Sequence, residues 1–526
     1  NFHQQKTLRL AMSRAFFLLC LATVYGQDVS GDGGDGSCDA GKACVAAKVE
    51  RKHHWPMQKG NMERTGYSPY VMPNISAGPS WSWVPKEFDL EIHRATPLID
   101  DQKNIYVQSI AGRVRKLRGV DGVELWSFYS GDRGGIPGVA AIDDDKIFFM
   151  TRKGYFIAVD LETGTEVFST KIAELIDSTT DCLLVLQGLV IYAIVEPVPA
   201  VYLTGHLHLH EIDSNLVVAF STKDGSLKWR FQPKMPLYNF QASSINDGSF
   251  VFQDQTGGVY RLGVDDGKLL WYGGQMDRGS ATTAAAVISE GKVYAVSNLG
   301  GGMKPGMKEG KGLLHVYDYE SGLLLWYQLL WYEGNQAVAV GEIAGHPGKS
   351  LVLGMGKNPG VPWFMLMTFY IPGWLIPWTA PLYYLSLHFP TWFASKQGRA
   401  IVAFNAETGA LRWVWEMEPY QQMAASGDNE KFVPRFREFV STNPNNEPMC
   451  LPDANAQPVI DGSGTAFVPF QDGKVYAVRD ENGDGSITPN EVQVHLVGDA
   501  FQASSAMAPG MLAVLDCAGK LDVFGG

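Results

Sequence analysis

One phrase recurs six times along this chain, and it limits the possible folds more than any other feature. It reads "GRVRKLRGVDGVELWSF" from Gly112, "GYFIAVDLETGTEVFST" from Gly154 and "NLVVAFSTKDGSLKWRF" from Asn215. It returns as "GGVYRLGVDDGKLLWYG" from Gly257, "GLLHVYDYESGLLLWYQ" from Gly312 and "RAIVAFNAETGALRWVW" from Arg399. Each copy joins an alternating apolar strand, a polar turn ending in Gly, and a second strand. In five copies a Trp follows the turn Gly at a fixed offset: Gly122/Trp126, Gly225/Trp229, Gly267/Trp271, Gly322/Trp326 and Gly409/Trp413. The other copy has Gly164 and Phe168 in those places. Alternation buries one face of a strand. Gly supplies the positive φ of a tight hairpin turn. The aromatic puts a large apolar plate on the same face of every unit. A lone hairpin cannot bury that face, so the units must stack.

A second phrase precedes these hairpins: apolar residues, a turn, then an apolar strand. Examples are "ATPLIDDQKNIYVQS" from Ala95, "GVAAIDDDKIFFMT" from Gly138, "QASSINDGSFVFQD" from Gln241, "AQPVIDGSGTAFVPF" from Ala456 and "QASSAMAPGMLAVLD" from Gln502. Joined, the phrases make about eight four-stranded units, most of them roughly 40–45 residues apart, a spacing that predicts a β-propeller. The expected fold is all-β: an eight-bladed propeller of four-stranded antiparallel blades. "WSWV" at Trp81–Val84 is expected to pair with the final "GKLDVFGG" and close the ring, which removes free sheet edges.

The strand–turn–Gly-x-x-x-Trp phrases resemble the pyrroloquinoline quinone (PQQ) repeat. "WPMQKGNMERTGYSPY", Trp55 to Tyr70, resembles the segment that leads into the propeller of PQQ-repeat proteins. The resemblance runs from about Trp55 to the C-terminus and implies eight blades. It also raises a quinoprotein dehydrogenase as a possible function. In the alcohol-oxidising members, PQQ lies between a Trp and a ring of two adjacent cysteines, a calcium ion polarises the quinone, and an Asp is the base. This sequence has no adjacent cysteines, and no local pattern singles out a base, so the catalytic and PQQ-binding residues are unknown. Other PQQ-repeat propellers are scaffolds.

In the seventh blade the turn between third and fourth strands is replaced by "DENGDGSITPNE". Asp480, Asn482 and Asp484 occupy positions 1, 3 and 5 of an EF-hand-like calcium loop. Gly485 is at the sharp turn, Ser486 offers its carbonyl, Thr488 stands at position 9 and Glu491 at 12. This is the oxygen-rich donor set a hard seven-coordinate cation needs. With strands rather than helices on either side, the loop is expected to act as a structural clip and not as a sensor.

From Met12 the chain reads "MSRAFFLLCLATVYGQDVS", with a basic Arg14, an apolar run and small residues before a cleavage point near Gly26–Gln27. This is the pattern of a signal peptide. The expected organisation is upstream residues plus signal peptide at 1–26, a flexible Gly/Asp/Cys segment at 27–54 and a single propeller at 55–526. The destination is the secretory pathway, whether extracellular, lumenal or membrane-associated, where disulfides form. Cys38 and Cys44 flank a short loop and could pair. Cys182, Cys450 and Cys517 cannot all pair within one chain, and the sequence leaves their partners open. Asn74-Ile75-Ser76 is a glycosylation sequon. A net charge of −12 argues against nucleic acid as a partner and is compatible with cations.

Three further stretches stand out. His206, His208 and His210 alternate on one face of "GHLHLHEID" and form a candidate metal site. Residues 358–395 contain no Lys, Arg, Asp or Glu and interrupt the sixth blade. Their prolines leave no straight spanning helix, so they are expected to form a hydrophobic lid, a membrane contact through 361–394, or a broken re-entrant element. A second insertion, at about 418–455, is polar. The expected function is a secreted or membrane-associated non-catalytic propeller that binds calcium and a protein or glycan partner. The alternative is a PQQ-dependent oxidoreductase of the alcohol- or sugar-dehydrogenase type.

Overall fold

The computed structural model describes residues 52–85, 95–174, 176, 182–195, 214–274, 285–299, 311–358, 378, 380–431 and 450–526. Within them the repeated phrases form eight antiparallel sheets, seven of four strands and one of three. The blades follow chain order, and each runs outward from an innermost to an outermost strand. Blade one, for example, comprises Leu98–Ile99, Ile105–Gln108, Arg113–Leu117 and Glu124–Tyr129. In blade four the innermost position is reduced to an isolated bridge between Ser243 and Val251. Blade eight is composite. Its outermost strand is Trp81–Trp83, paired antiparallel with Leu521–Gly525 in the register Trp81↔Val523. The ring therefore closes with strands from both sides of the chain, as the sequence predicts.

The core is divided into seams. One cluster joins blades one and two (Leu98, Tyr106, Ile147, Phe149), and another joins blades five and six (Tyr294, Val316, Leu351, Phe404). Where the repeat aromatic is Trp126, Trp229, Trp271 or Trp326, it lies under the turn Gly of the following blade, whereas the turn Gly225 meets Thr170 and Phe156. A Cβ on Gly164 would stand 2.6 Å from the Trp126 ring, one on Gly267 2.5 Å from Trp229, and one on Gly322 2.6 Å from Trp271. The indole N–H groups of Trp126, Trp229 and Trp271 donate to the carbonyls of Leu161, Val264 and Tyr319 in those same turns. The motif Gly thus meets two demands. Its φ is positive, and its missing side chain leaves room for the neighbour's ring.

Antiparallel connectivity gives the ring two unlike faces. Connections between first and second strands, and between third and fourth, lie on what is here termed the turn face. Connections between second and third strands, and between blades, lie on the insertion face. The chain leaves and re-enters the described strands at the insertion face around 86–94, 196–213, 300–310, 359–377 and 432–449. The apolar insertion lies between His346–Gly356 and Gln397–Asn405 of blade six. It contains two short helices, α1 (Ala380–His388) and α2 (Pro390–Phe393). The polar insertion follows Leu411–Tyr420, and a Cys450–Cys517 disulfide ties its far end to blade eight, with Cα atoms 5.9 Å apart. Cys182 is buried and lies outside that bridge. The signal-peptide residues, Cys38, Cys44 and the His206/His208/His210 group lie outside the described residues.

Candidate functional site

The turn face carries the ion loop. Lys474–Val478 and Val492–Leu496 pair as the third and fourth strands of blade seven, so 480–491 is an enlarged turn between them. Asp480 is buried. Its Oδ1 accepts from the Gly483 amide at 2.8 Å, and its Oδ2 accepts from the Gly485 amide at 2.9 Å. His346 Nε2, on the first turn of blade six, lies 2.7 Å from the same Oδ2. Asp484 Oδ1 accepts from the Ser486 amide, and Asn482 Nδ2 donates to Asp484 Oδ2. Glu491 closes the loop, accepting from the Thr488 amide and hydroxyl and from the Glu481 amide. The Thr488 amide, its hydroxyl and the Glu481 amide hold the Glu491 carboxyl below the usual carboxylate range, against a small opposing effect of burial and Asp480. These contacts place the sequence-predicted ligands Asp480, Asn482, Asp484, Ser486, Thr488 and Glu491 in one compact loop.

The loop also docks on blade six. Ser486 bridges Val414 in a parallel pair, and Gly345 and Gly483 meet backbone to backbone. The donor chemistry suits a hard cation: carboxylates, an amide oxygen, a hydroxyl and backbone carbonyls within twelve residues. His346 already engages one oxygen of Asp480, so an ion would share or displace that contact. Among the described residues, no three His, Cys, Asp or Glu side chains converge in a ready-made metal cluster. Beside the loop is a cavity of about 160 Å³, lined by Asn74, Ser463, Arg479, Glu481, Asn490 and Glu491 among others.

The centre of the ring is occupied by the segment that the sequence places ahead of the propeller. Its backbone bonds in turn to the innermost strands. Trp55 pairs with Ile99, and the Pro56 carbonyl accepts from Ile142, Met62 from Ser244, Glu63 from Ile288 and Thr65 from Val340. Gly66 then accepts from Ile460. Gln58 Nε2 donates to Gln457 Oε1 at 3.0 Å, and Gln457 Nε2 donates to Gln241 Oε1 at 2.8 Å, linking blade seven to blade four. Arg64 is fully buried and donates to the carbonyls of Ala242, Gln58 and Leu183. Lys59, also fully buried, donates to the Val338 carbonyl. Burial, with a further contribution from Arg64, pushes the Lys59 ammonium well below its usual range, and burial lowers Arg64. The innermost-strand positions at this level include Thr96, Val139, Cys182, Gln241, Gln457 and Ser504, with no carboxylate among them.

A polar cluster that sequence reasoning missed lies on the insertion face, at the ends of blades five, six and seven. Asp453 accepts from Gln336 and Asn358, Asn358 accepts from Asn335, and Asn335 accepts from Asn298. Asp453, Gln336, Asn335 and Asn298 are buried. The available signal was an Asn or Asp a few residues ahead of an innermost strand, as in "GNQAV" and "LPDANAQPV". His346 left no such signal, because its partner is 134 residues away.

A family model described as "Outer membrane protein assembly factor BamB" matches residues 91–174 and 110–312. No curated protein matches the chain in sequence. Among solved structures, BamB from Moraxella catarrhalis is 14% identical over 87% of this chain and 100% of that one, with a TM-score of 0.53. The quinohemoprotein alcohol dehydrogenase from Comamonas testosteroni is 14% identical over 91% and 82%, with a TM-score of 0.53. A europium-containing methanol dehydrogenase is 14% identical over 90% and 91%, with a TM-score of 0.54. At such identities the likeness to the solved structures is one of fold. The chain is thus an eight-bladed β-propeller built on an aromatic-bearing repeat, and the family model matches inside it over residues 91–312.

Proposed function

We propose that this chain is a secreted or membrane-associated, non-catalytic PQQ-repeat propeller. It binds calcium at Asp480–Glu491 and offers its insertion face to a protein or glycan partner. The observation that carries this reading is the filled centre: Gln58 Nε2, Lys59 Nζ and the Arg64 guanidinium occupy it and donate to groups at the inner strands. The calcium is structural. It adds cross-links where the loop already bridges blades six and seven, at a modest affinity of roughly 10⁻⁴–10⁻³ M, as in extracellular modules. The test adds PQQ and calcium to the pure protein. The expected result is a calcium-dependent rise in melting temperature that Asp480→Ala with Glu491→Gln abolishes, with no bound quinone spectrum and no dye reduction. A stoichiometric quinone spectrum with dye reduction would overturn the non-catalytic reading. A melting temperature indifferent to calcium would overturn the ion site.

A second reading, a PQQ-dependent oxidoreductase, draws support from the likeness in fold to dehydrogenases and from the buried Asp453 with its amide partners. On that reading Asp453→Asn removes dye reduction and leaves the calcium response intact.

A further inference from the structure

The apolar insertion of blade six has an outer surface that its own propeller does not cover. Every side chain of α1 and its following residue whose exposure is described is exposed: Pro381, Leu382, Tyr384, Leu385, His388 and Phe389. Trp378, just before α1, is 77% exposed, and Trp392 on α2 is 73% exposed. Phe389 and Trp392 stack at 4.7 Å, so the two helices meet in an exposed aromatic pair. From 358 to 395 there is no charged residue, and Lys357 and Lys396 bracket the run.

Blade five carries a second apolar surface. The outermost strand of blade five, Leu324–Leu329, directs Leu325, Tyr327 and Leu329 outward, all exposed, and Trp331 follows. The same positions in blade three are Lys228, Arg230 and Gln232. Tyr332 packs against the backbone of Gly398, at the base of the insertion. The edge of blade five therefore ends beside the base of the insertion, on the face where the other insertions emerge.

From these surfaces we infer that the α1–α2 element and the adjoining edge of blade five rest on a lipid surface. The chemistry favours lipid over a protein groove. A groove needs one apolar stripe with polar flanks, whereas the described exposed side chains of α1 are apolar or aromatic apart from His388. Trp and Tyr concentrate where hydrocarbon meets headgroups, and flanking Lys side chains reach the headgroups. The nine residues of α1 span about 13 Å against a hydrocarbon core of about 30 Å. No helix among the described residues is long and apolar enough to cross a membrane. The element therefore lies in the interface, held by burial of its aromatics. With a net charge of −12, the chain gains no long-range attraction to an anionic surface.

The full-length secreted form is mixed with vesicles of phosphatidylcholine, with and without phosphatidylglycerol, and binding is read by sedimentation and by quenching of Trp fluorescence with brominated phosphatidylcholine. The expected result is binding to neutral vesicles that survives high salt, with quenching that Trp378→Ser plus Trp392→Ser reduces. That double variant should bind about tenfold more weakly or worse while keeping the wild-type melting temperature, since both side chains are exposed. Absence of vesicle binding would overturn the inference, as would binding that needs phosphatidylglycerol and vanishes with salt. A double variant that binds vesicles as the wild type does, but no longer self-associates, would instead assign the surface to a second copy of the chain.

Discussion

The indole of Trp81 lies beneath Gly122. A Cβ on Gly122 would stand 2.7 Å from the ring, and Trp81 Nε1 donates to the Gly119 carbonyl at 3.0 Å. This is the relationship that joins Trp126 to Gly164 and Trp229 to Gly267. The closing strand therefore does more than complete a sheet. It supplies blade eight with the aromatic plate that its own hairpin lacks, and it seals the last seam with the device used elsewhere. The seam between blades six and seven departs from the pattern. Trp413 is buried with no partner for its N–H, and the turn that would cover it is replaced by the ion loop. The Ser486–Val414 bridge and the Gly345–Gly483 contact stand in its place.

If the motif glycines serve both backbone and packing, two substitutions should separate the effects. Gly188 has φ +77°, and a Cβ there would meet nothing within 4 Å, so Gly188→Ala meets only the left-handed backbone penalty, about 1 kcal/mol. Gly267 has φ +66° and faces Trp229 at 2.5 Å, so Gly267→Ala adds overpacking and should cost about 2–4 kcal/mol. Denaturant midpoints for the two variants measure the difference. Equal midpoints would mean that the neighbour's ring yields and the seam is not tightly packed.

How much of this was legible beforehand follows from the range of each interaction. The blades, their number and the closing strand could be read because alternation, turn Gly and aromatic recur within single hairpins. That Trp81 is a motif Trp could not be read, because its Gly lies in another blade, 41 positions along the chain. The loop ligands are contiguous and legible, whereas His346 is not. The threading of 55–70 through the centre has no periodicity to betray it. Its bonds are irregular backbone contacts to successive blades, and Arg64 is recognisable as a hub only once Ala242 and Leu183 are beside it.

Asp480 and Asp484 should behave differently without metal and alike with it. Asp480 is buried and accepts two backbone amides and His346, so Asp480→Ala leaves donors unsatisfied and should cost about 1–3 kcal/mol in the presence of a chelator. Asp484 is exposed, and Asp484→Ala should change metal-free stability by less than about 0.5 kcal/mol. Both variants should lose the calcium-induced rise in melting temperature. Thermal scans with chelator and with excess calcium give all four values. A calcium response retained by Asp484→Ala would remove that residue from the ligand set.

The Cys450–Cys517 bridge encloses 67 residues and fastens the polar insertion to blade eight. Asp428 accepts from the amides of Cys450 and Leu451 and holds the strap from within. A loop of this length is worth about 4 kcal/mol by chain entropy. The double variant Cys450→Ser with Cys517→Ser should melt lower than the oxidised wild type and be indifferent to dithiothreitol. A wild type that melts at the same temperature with and without reductant would show that the bridge adds no stability.

Two buried groups should give the stability curve opposing slopes. Burial, reinforced by neighbouring Asp499, pushes the Asp516 carboxyl up to about 7, although it accepts the Lys520 and Asp499 amides. The folded chain then keeps a proton that the unfolded chain releases near 3.8, so stability falls as pH rises from about 4 to 7, by an amount on the order of 4 kcal/mol. His315 is fully buried beside the Tyr317 hydroxyl, and burial lowers it to about 4. The unfolded chain takes up a proton near 6.5 that the folded chain refuses, so stability falls as pH drops from about 6.5 to 4, on the order of 3 kcal/mol. In urea titrations across this range, the stability of Asp516→Asn relative to wild type should rise with pH, and that of His315→Asn should fall. Variant curves running parallel to wild type would show that these groups keep ordinary affinities for the proton in the folded ring.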